Sequence, residues 1–433
     1  MFENRREIMQ DVFLTYLPAQ HFKTSRLTLN LIAPLRRETA SANALLPAVM
    51  RRGTVRYPDM ESLSAALDTL YGANIDYTVR KKGERQCAGF AAGFIDDAFT
   101  PHGEKLLEPV AELLGELLLE PVTQRGRFLS EYVDSEKANL IDAIRGLKND
   151  KRDWADIRLM QEMCAGEPYS VLRLGDEETA SRLNNQTLYT HGQALLSGSR
   201  VELIYCGSAE EKRVEDAVLA ALAALPRGAQ TELPPVERVQ APAQPRLVTE
   251  AMDVTQGKLV LGFRLGECME EPDIPALYVF NAVYGSGATS KLFMNVREKL
   301  SLCYYASSAV YLHKGIMLVS SGIEFDKLDA ARDEILAQLD SVRRGEITDD
   351  ELRSAKKSVA SDLRAVQDSI GELEGFYLSQ ALDGLDYGPA ELAALAEDVT
   401  KEDVQAIAES IECDLIYFLK GSGEEDGSDD ETA

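Results

Sequence analysis

The chain has 433 residues, 45% of them hydrophobic, enough for two or more cores of ordinary size. Its formal net charge of −26 excludes a phosphate backbone or an anionic membrane surface as partner, because either would be repelled at long range. The six cysteines, Cys87, Cys164, Cys206, Cys268, Cys303 and Cys413, form no C-x-x-C pair and read as dispersed reduced thiols, mostly core or near-core.

The amino terminus, Met1 to Glu7, runs straight into mixed charge. No stretch approaches the roughly 18 apolar residues of a membrane span. The expectation is a soluble, cytoplasmic protein.

Met60, Leu63, Leu67 and Leu70, spaced by three and four, predict an amphipathic helix that stops near Gly72. An alternating strand follows over Ile75 to Val79, then a turn and a return strand from Ala88 to Ile95 ending in Asp96-Asp97. Leu106, Leu107, Val110, Leu113, Leu114, Leu117 and Leu118 predict a long helix closed by Pro121, and a further helix runs from about Gly126 to Leu147. Pro226, Pro234, Pro235, Pro242 and Pro245 then punctuate a polar stretch that holds neither helix nor central strand.

Beyond that stretch the order repeats. Residues Ala276 to Tyr284 predict a helix, and a second one carries Leu292, Phe293 and Val296. The strand Tyr304 to Leu312, a turn at Lys314-Gly315 and the strand Ile316 to Ile323 come next. A helix from Leu328 to Val342 precedes another whose first turn Thr348 or Asp349 can cap. From Gly421 to Ala433 six acidic residues among Gly and Ser leave nothing apolar to bury, so this tail is expected to be disordered.

Matching Leu70-Tyr71-Gly72 to Cys303-Tyr304-Tyr305, and Ile95-Asp96 to Glu324-Phe325, sets the copies roughly 230 residues apart, the spacing of two duplicated domains rather than of a solenoid. The predicted class is α+β: two homologous lobes, each a mainly antiparallel sheet with helices packed on one side. Residues 1–225 and 246–420 are the expected lobes, 226–245 the linker and 421–433 the tail.

The order of elements and several local strings resemble the pitrilysin or insulinase (M16) metallopeptidases, which implies their LuxS/mitochondrial-processing-peptidase-like fold. Members of that family carry His-x-x-Glu-His on a helix ahead of a Gly-Thr. Two imidazoles one turn apart hold Zn²⁺, and the Glu takes the proton from the zinc-bound water. Here Arg51-Arg52-Gly53-Thr54 matches the string after the motif, so its window is Ala44-Leu45-Leu46-Pro47-Ala48, and both histidines and the base are absent. His21, His102, His191 and His313, the only histidines, offer no pair at ligand spacing. Glu136 stands where the resemblance places the third ligand, but one carboxylate cannot hold zinc alone. No metal, no cofactor and no catalytic residue are expected.

Ser290 to Tyr304 also resembles the family's second-lobe string, whose Arg and Tyr seven residues apart grip substrate backbone and steady the developing oxyanion. Arg297 and Tyr304 have that spacing, and a guanidinium fork and a phenol are suitable donors to a carbonyl gaining negative charge. Gly285-Ser286-Gly287-Ala288-Thr289-Ser290-Lys291 is not a P-loop, since Lys291 follows Ser290 and a helix rather than a strand precedes it. The resemblance thus implies an inactive subunit supplying Arg297 and Tyr304 to a catalytic M16 paralogue, in a heterodimer acting on a peptide or unfolded segment. A non-enzymatic peptide-binding or scaffold protein is the alternative. A cysteine hydrolase is the weakest reading, since no cysteine has a recognisable His partner in the sequence.

Overall fold

A computed structural model of the chain describes residues 4–267 and 269–422. From residue 423 on, the expectation for the tail falls outside the described residues, as does Cys268. The chain divides into two compact units: Met1–Gly146 with Val171–Val236 and Val366–Tyr387, and Leu147–Ser170 with Glu237–Ala365 and Gly388–Ala433. It passes from one to the other between Val236 and Glu237, within the proline-rich stretch. Each unit also takes one segment from the other half of the sequence.

The first unit holds β1 (Arg5–Met9), β2 (Val12–Pro18), β3 (Thr24–Pro34), β4 (Asn74–Lys82), β5 (Arg85–Ile95) and β6 (Arg200–Gly207), in the order β1-β2-β6-β3-β5-β4. Only β2 and β6 run parallel. Helices α1 (Arg37–Met50), α2 (Met60–Thr69), α3 (Leu107–Leu119) and α4 (Ser130–Gly146) join a layer continued by α6 (Glu177–Ser181), α7 (Asn185–Gly198) and α8 (Glu211–Ala221). Leu27, Leu29 and Leu31 of β3 meet that layer in one apolar cluster. The opposite face, with Leu17, Ile32, Cys87, Ile204 and Cys206, is covered by Leu373, Leu378 and Leu382 of α12 (Ile370–Asp383). Three buried leucines, at roughly 2 kcal/mol each, explain why this segment joins the first sheet. Coverage of both faces explains the near-continuous small and apolar run of β5.

The second unit repeats the plan with β7 (Arg246–Met252), β8 (Gly257–Arg264), β9 (Cys303–Tyr311), β10 (Ile316–Ile323) and β11 (Glu412–Gly421). Their order, β7-β11-β8-β10-β9 with β7 and β11 parallel, is that of β2-β6-β3-β5-β4. The two sheets are copies, and β1 is an extra edge strand on the first. Helices α9 (Ile274–Asn281), α10 (Leu328–Arg343), α11 (Asp349–Ala365), α13 (Pro389–Asp398) and α14 (Lys401–Ser410) complete the unit with α5 (Lys151–Met163). Ala155, Leu159 and Met163 of α5 pack on Val260, Leu318, Leu415 and Tyr417, as α12 packs on the first sheet.

The helix expected through Leu292, Phe293 and Val296 differs in detail. Residues Leu292–Lys299 wind with the wider π pattern, and Leu300 N–H reaches back five residues to the Asn295 carbonyl at 3.1 Å. Thr348 caps α11 as expected, its Oγ1 accepting from Glu351 N–H at 3.2 Å while the Glu351 carboxylate accepts from Thr348 N–H at 2.8 Å. Of the described cysteines, Cys87, Cys164, Cys206 and Cys303 are buried and Cys413 is partly so. Among the described residues no helix is long and apolar enough to cross a membrane.

Candidate functional site

The helix carrying the window Ala44 to Ala48 is α1, buried throughout from Ala40 to Met50. Ala44, Leu45 and Leu46 are at most 2% exposed, and Leu46 lies against Gly192 of α7, where an added Cβ would stand 2.8 Å from its Cδ1. Pro47 has no N–H to offer the turn before it, while its carbonyl accepts from Arg51 N–H at 3.0 Å. The polar residue nearest the window is also committed: Asn43 donates to Gln86 Oε1 at 2.9 Å, and its Oδ1 is 2.7 Å from His191 Nε2. Burial lowers the pKa of that histidine.

Glu136 of α4 is similarly engaged. One carboxylate oxygen accepts from Arg52 Nη1 at 2.9 Å, the other from Asn139 Nδ2 at 3.1 Å, and the Arg52 guanidinium sits 4.7 Å from the centroid of the Tyr132 ring. Gly53 and Thr54, which close the motif's string, build a turn: a Cβ on Gly53 would meet the Tyr57 and Pro58 backbone at 2.7 Å, and buried Thr54 Oγ1 accepts from Tyr57 N–H at 3.0 Å. Among the described residues no group of three or more His, Cys, Asp or Glu could hold a metal ion. The donor set therefore does not fit zinc, and no hydrolytic step runs through this helix.

Arg297 and Tyr304 lie in the second unit and line one open depression of about 390 Å³ with Glu298, Ser301, Leu302, Cys303 and Glu324. Arg297 is half-exposed, its guanidinium 4.7 Å from the Phe293 ring centroid and its Nε 3.6 Å from Glu298. Tyr304 is 60% exposed, unusual for a tyrosine at the start of a strand. Three local irregularities set the pair. The helix before them is π-wound; Ser301 turns the chain at φ +51°, rare for a residue with a side chain; and Tyr304 is the extra residue of a β-bulge, since Gly322 pairs with Tyr305 and Ile323 with Cys303. The two residues are picked out by the resemblance of the string Ser290 to Tyr304 to the family's. The stacking of Phe293, the Ser301 turn and the bulge carried no signal there, because each depends on the neighbouring strand or turn.

Residues 182–359 match the family described as Peptidase M16 inactive domain. A Bacillus subtilis protein described as probable inactive metalloprotease YmfF is 33% identical over 405 residues, covering 93% of this chain and 94% of its own length. A conserved Enterococcus faecalis protein of known crystal structure superposes with TM-score 0.88 at 26% identity, over 98% of this chain and 100% of that one. A Pseudomonas fluorescens structure described as a peptidase M16 inactive domain has the same fold, with TM-score 0.73 at 17% identity over 97% and 98% of the two chains. The chain belongs to the pitrilysin or insulinase (M16) peptidase family, among the members that lack the His-x-x-Glu-His zinc motif. It is an inactive metallopeptidase homologue, not a peptidase by itself.

Proposed function

We propose that the chain is the non-catalytic subunit of a cytoplasmic heterodimer whose other subunit is a zinc-bearing M16 paralogue, and that Arg297 and Tyr304 hold the peptide which that paralogue cleaves. One observation carries the reading. The zinc-motif window holds buried apolar groups and the retained Glu136 is ion-paired to Arg52, while the two substrate-gripping side chains remain exposed in one depression. A guanidinium fork and a phenol hydroxyl are donors suited to a carbonyl oxygen that becomes more negative during attack. Tyr304 is the second residue of β9, an edge strand of its sheet. The outer main-chain groups of an edge strand suit an extended peptide better than a folded one.

The test is turnover of quenched flexible peptides by this chain alone, by the paralogue alone, and by the two mixed, with zinc measured in each. Activity confined to the mixture, with zinc confined to the paralogue, is the expected result. Equal activity of paralogue and mixture, with peptide bound but uncut by this chain, would replace the reading with that of a peptide-binding scaffold.

A further inference from the structure

The Tyr304 phenol projects from a bulge, and bulges are soft unless something fixes the extra residue. Three contacts converge on Tyr305, the residue after it. Buried Ser321 of β10 donates from Oγ to the Tyr305 carbonyl at 2.9 Å, so the partner strand holds the residue next to Tyr304. The Tyr305 ring lies against Gly322, where an added Cβ would come within 2.5 Å of its Cε1, so only glycine leaves room for it. Over the ring sits Arg152, its guanidinium carbon 4.2 Å from the centroid and its Nη2 3.3 Å from Ser307 Oγ.

We propose that Ser321 and the Arg152–Tyr305–Gly322 stack are positioning elements that lock the bulge and so aim Tyr304 at bound peptide. The clamp acts through main-chain geometry and touches no substrate. Its cation comes from the first turn of α5, which belongs to the other half of the sequence but packs in this unit. The grip on the second copy of the sheet therefore depends on a residue encoded before the linker. This inference rests on the gripping role of Tyr304 for its purpose, though not for its geometry.

The experiment places 3-fluorotyrosine at position 304 and records its ¹⁹F resonance in the full chain, in Ser321→Ala and in Arg152→Ala. The second substitution is at an exposed side chain. One narrow line in the parent, and broadened or split lines in both variants at unchanged thermal midpoint for Arg152→Ala, is the expected result. An unchanged line in Arg152→Ala and in every folded Ser321 variant overturns the clamp. Arg152→Lys, which keeps a cation over the ring, should recover most of the narrow line. In parallel, affinity for a fluorescein-labelled, unstructured 15-residue peptide should weaken about tenfold in the variants, as for one lost hydrogen-bond donor. If the line broadens but neither Tyr304→Phe nor the clamp variants alter peptide affinity, the clamp stands and the gripping reading fails.

Discussion

Arg52 and Glu136 form a half-buried ion pair, Nη1 to Oε1 at 2.9 Å, on the first unit's helical layer. In a metal-binding relative the carboxylate at this place would face a cation of charge two. Here a guanidinium already holds it, and Asn139 occupies its second oxygen.

This pairing predicts that restoring the motif alone will fail. The triple variant Ala44→His, Pro47→Glu, Ala48→His puts three polar side chains at buried positions, Ala44 2% and Ala48 8% exposed, that leave no room for solvent. Each buried without a partner costs about 1–3 kcal/mol. A lower thermal midpoint and less than stoichiometric zinc by elemental analysis are expected. Adding Arg52→Leu, which releases Glu136, should raise zinc content. Full zinc loading of the triple variant with Arg52 intact would show that the ion pair does not compete for the ligand.

Tyr304→Phe should leave stability within about 0.5 kcal/mol, as for most exposed positions. In the mixed assay it should lower kcat by about a hundredfold if the phenol donates to the oxyanion, with KM little changed. Arg297→Lys should lower kcat less than Arg297→Ala, since one cation is kept but the fork is lost. A rise in KM alone for Tyr304→Phe would assign the phenol to ground-state binding instead.

The duplicated element order was legible because helix and strand signals are local: the strand Ile316–Ile323 is found where the turn at Lys314-Gly315 and the apolar run after it place it. The segment exchange was not. Helices α5 and α12 carry ordinary amphipathic patterns, and which sheet each covers depends on contacts more than a hundred residues away, such as Leu378 against Ile32 and Leu159 beside Val260. Arg297 and Tyr304 could be chosen from their string, but not the bulge that turns Tyr304 outward, since a bulge exists only relative to a partner strand. Lys314 sits in the turn where the sequence places it, but nothing local marks its burial: its ammonium is fully buried, 2.7 Å from Glu167.

That lysine belongs to a buried cluster in the second unit. Glu167 also pairs with Arg264 Nη2 at 2.6 Å, and Arg264 Nε pairs with Asp414 at 2.8 Å. Arg264→Leu removes the cation shared by two buried carboxylates and should destabilise the chain by roughly 3–5 kcal/mol, as for other broken buried pairs. Urea unfolding at pH 7 measures it. A loss under about 1 kcal/mol would mean that water or Lys314 compensates both acids.

Asp156 of α5 predicts a pH dependence of known sign. Burial pushes its carboxyl up from 3.8 to about 6, against the pull of a hydrogen bond from Ser320 Oγ at 2.6 Å and of the Arg152 charge. The folded state therefore keeps a proton between about pH 4 and 6 that the unfolded chain has released. The cost of ionising this buried acid is absent below 3.8 and fully present above about 6, so its contribution to stability falls as pH rises through that window. The gap is worth on the order of 3 kcal/mol. Asp156→Asn, which keeps an acceptor for Ser320 and cannot ionise, should stabilise the second unit by up to that amount at pH 7.5 and by little at pH 4. Trp154, the one tryptophan in the chain, lies two residues away on the same helix and reports the unfolding of this unit by fluorescence. An equal difference between variant and parent at both pH values would mean that Asp156 is already neutralised by its neighbours and does not titrate in the window.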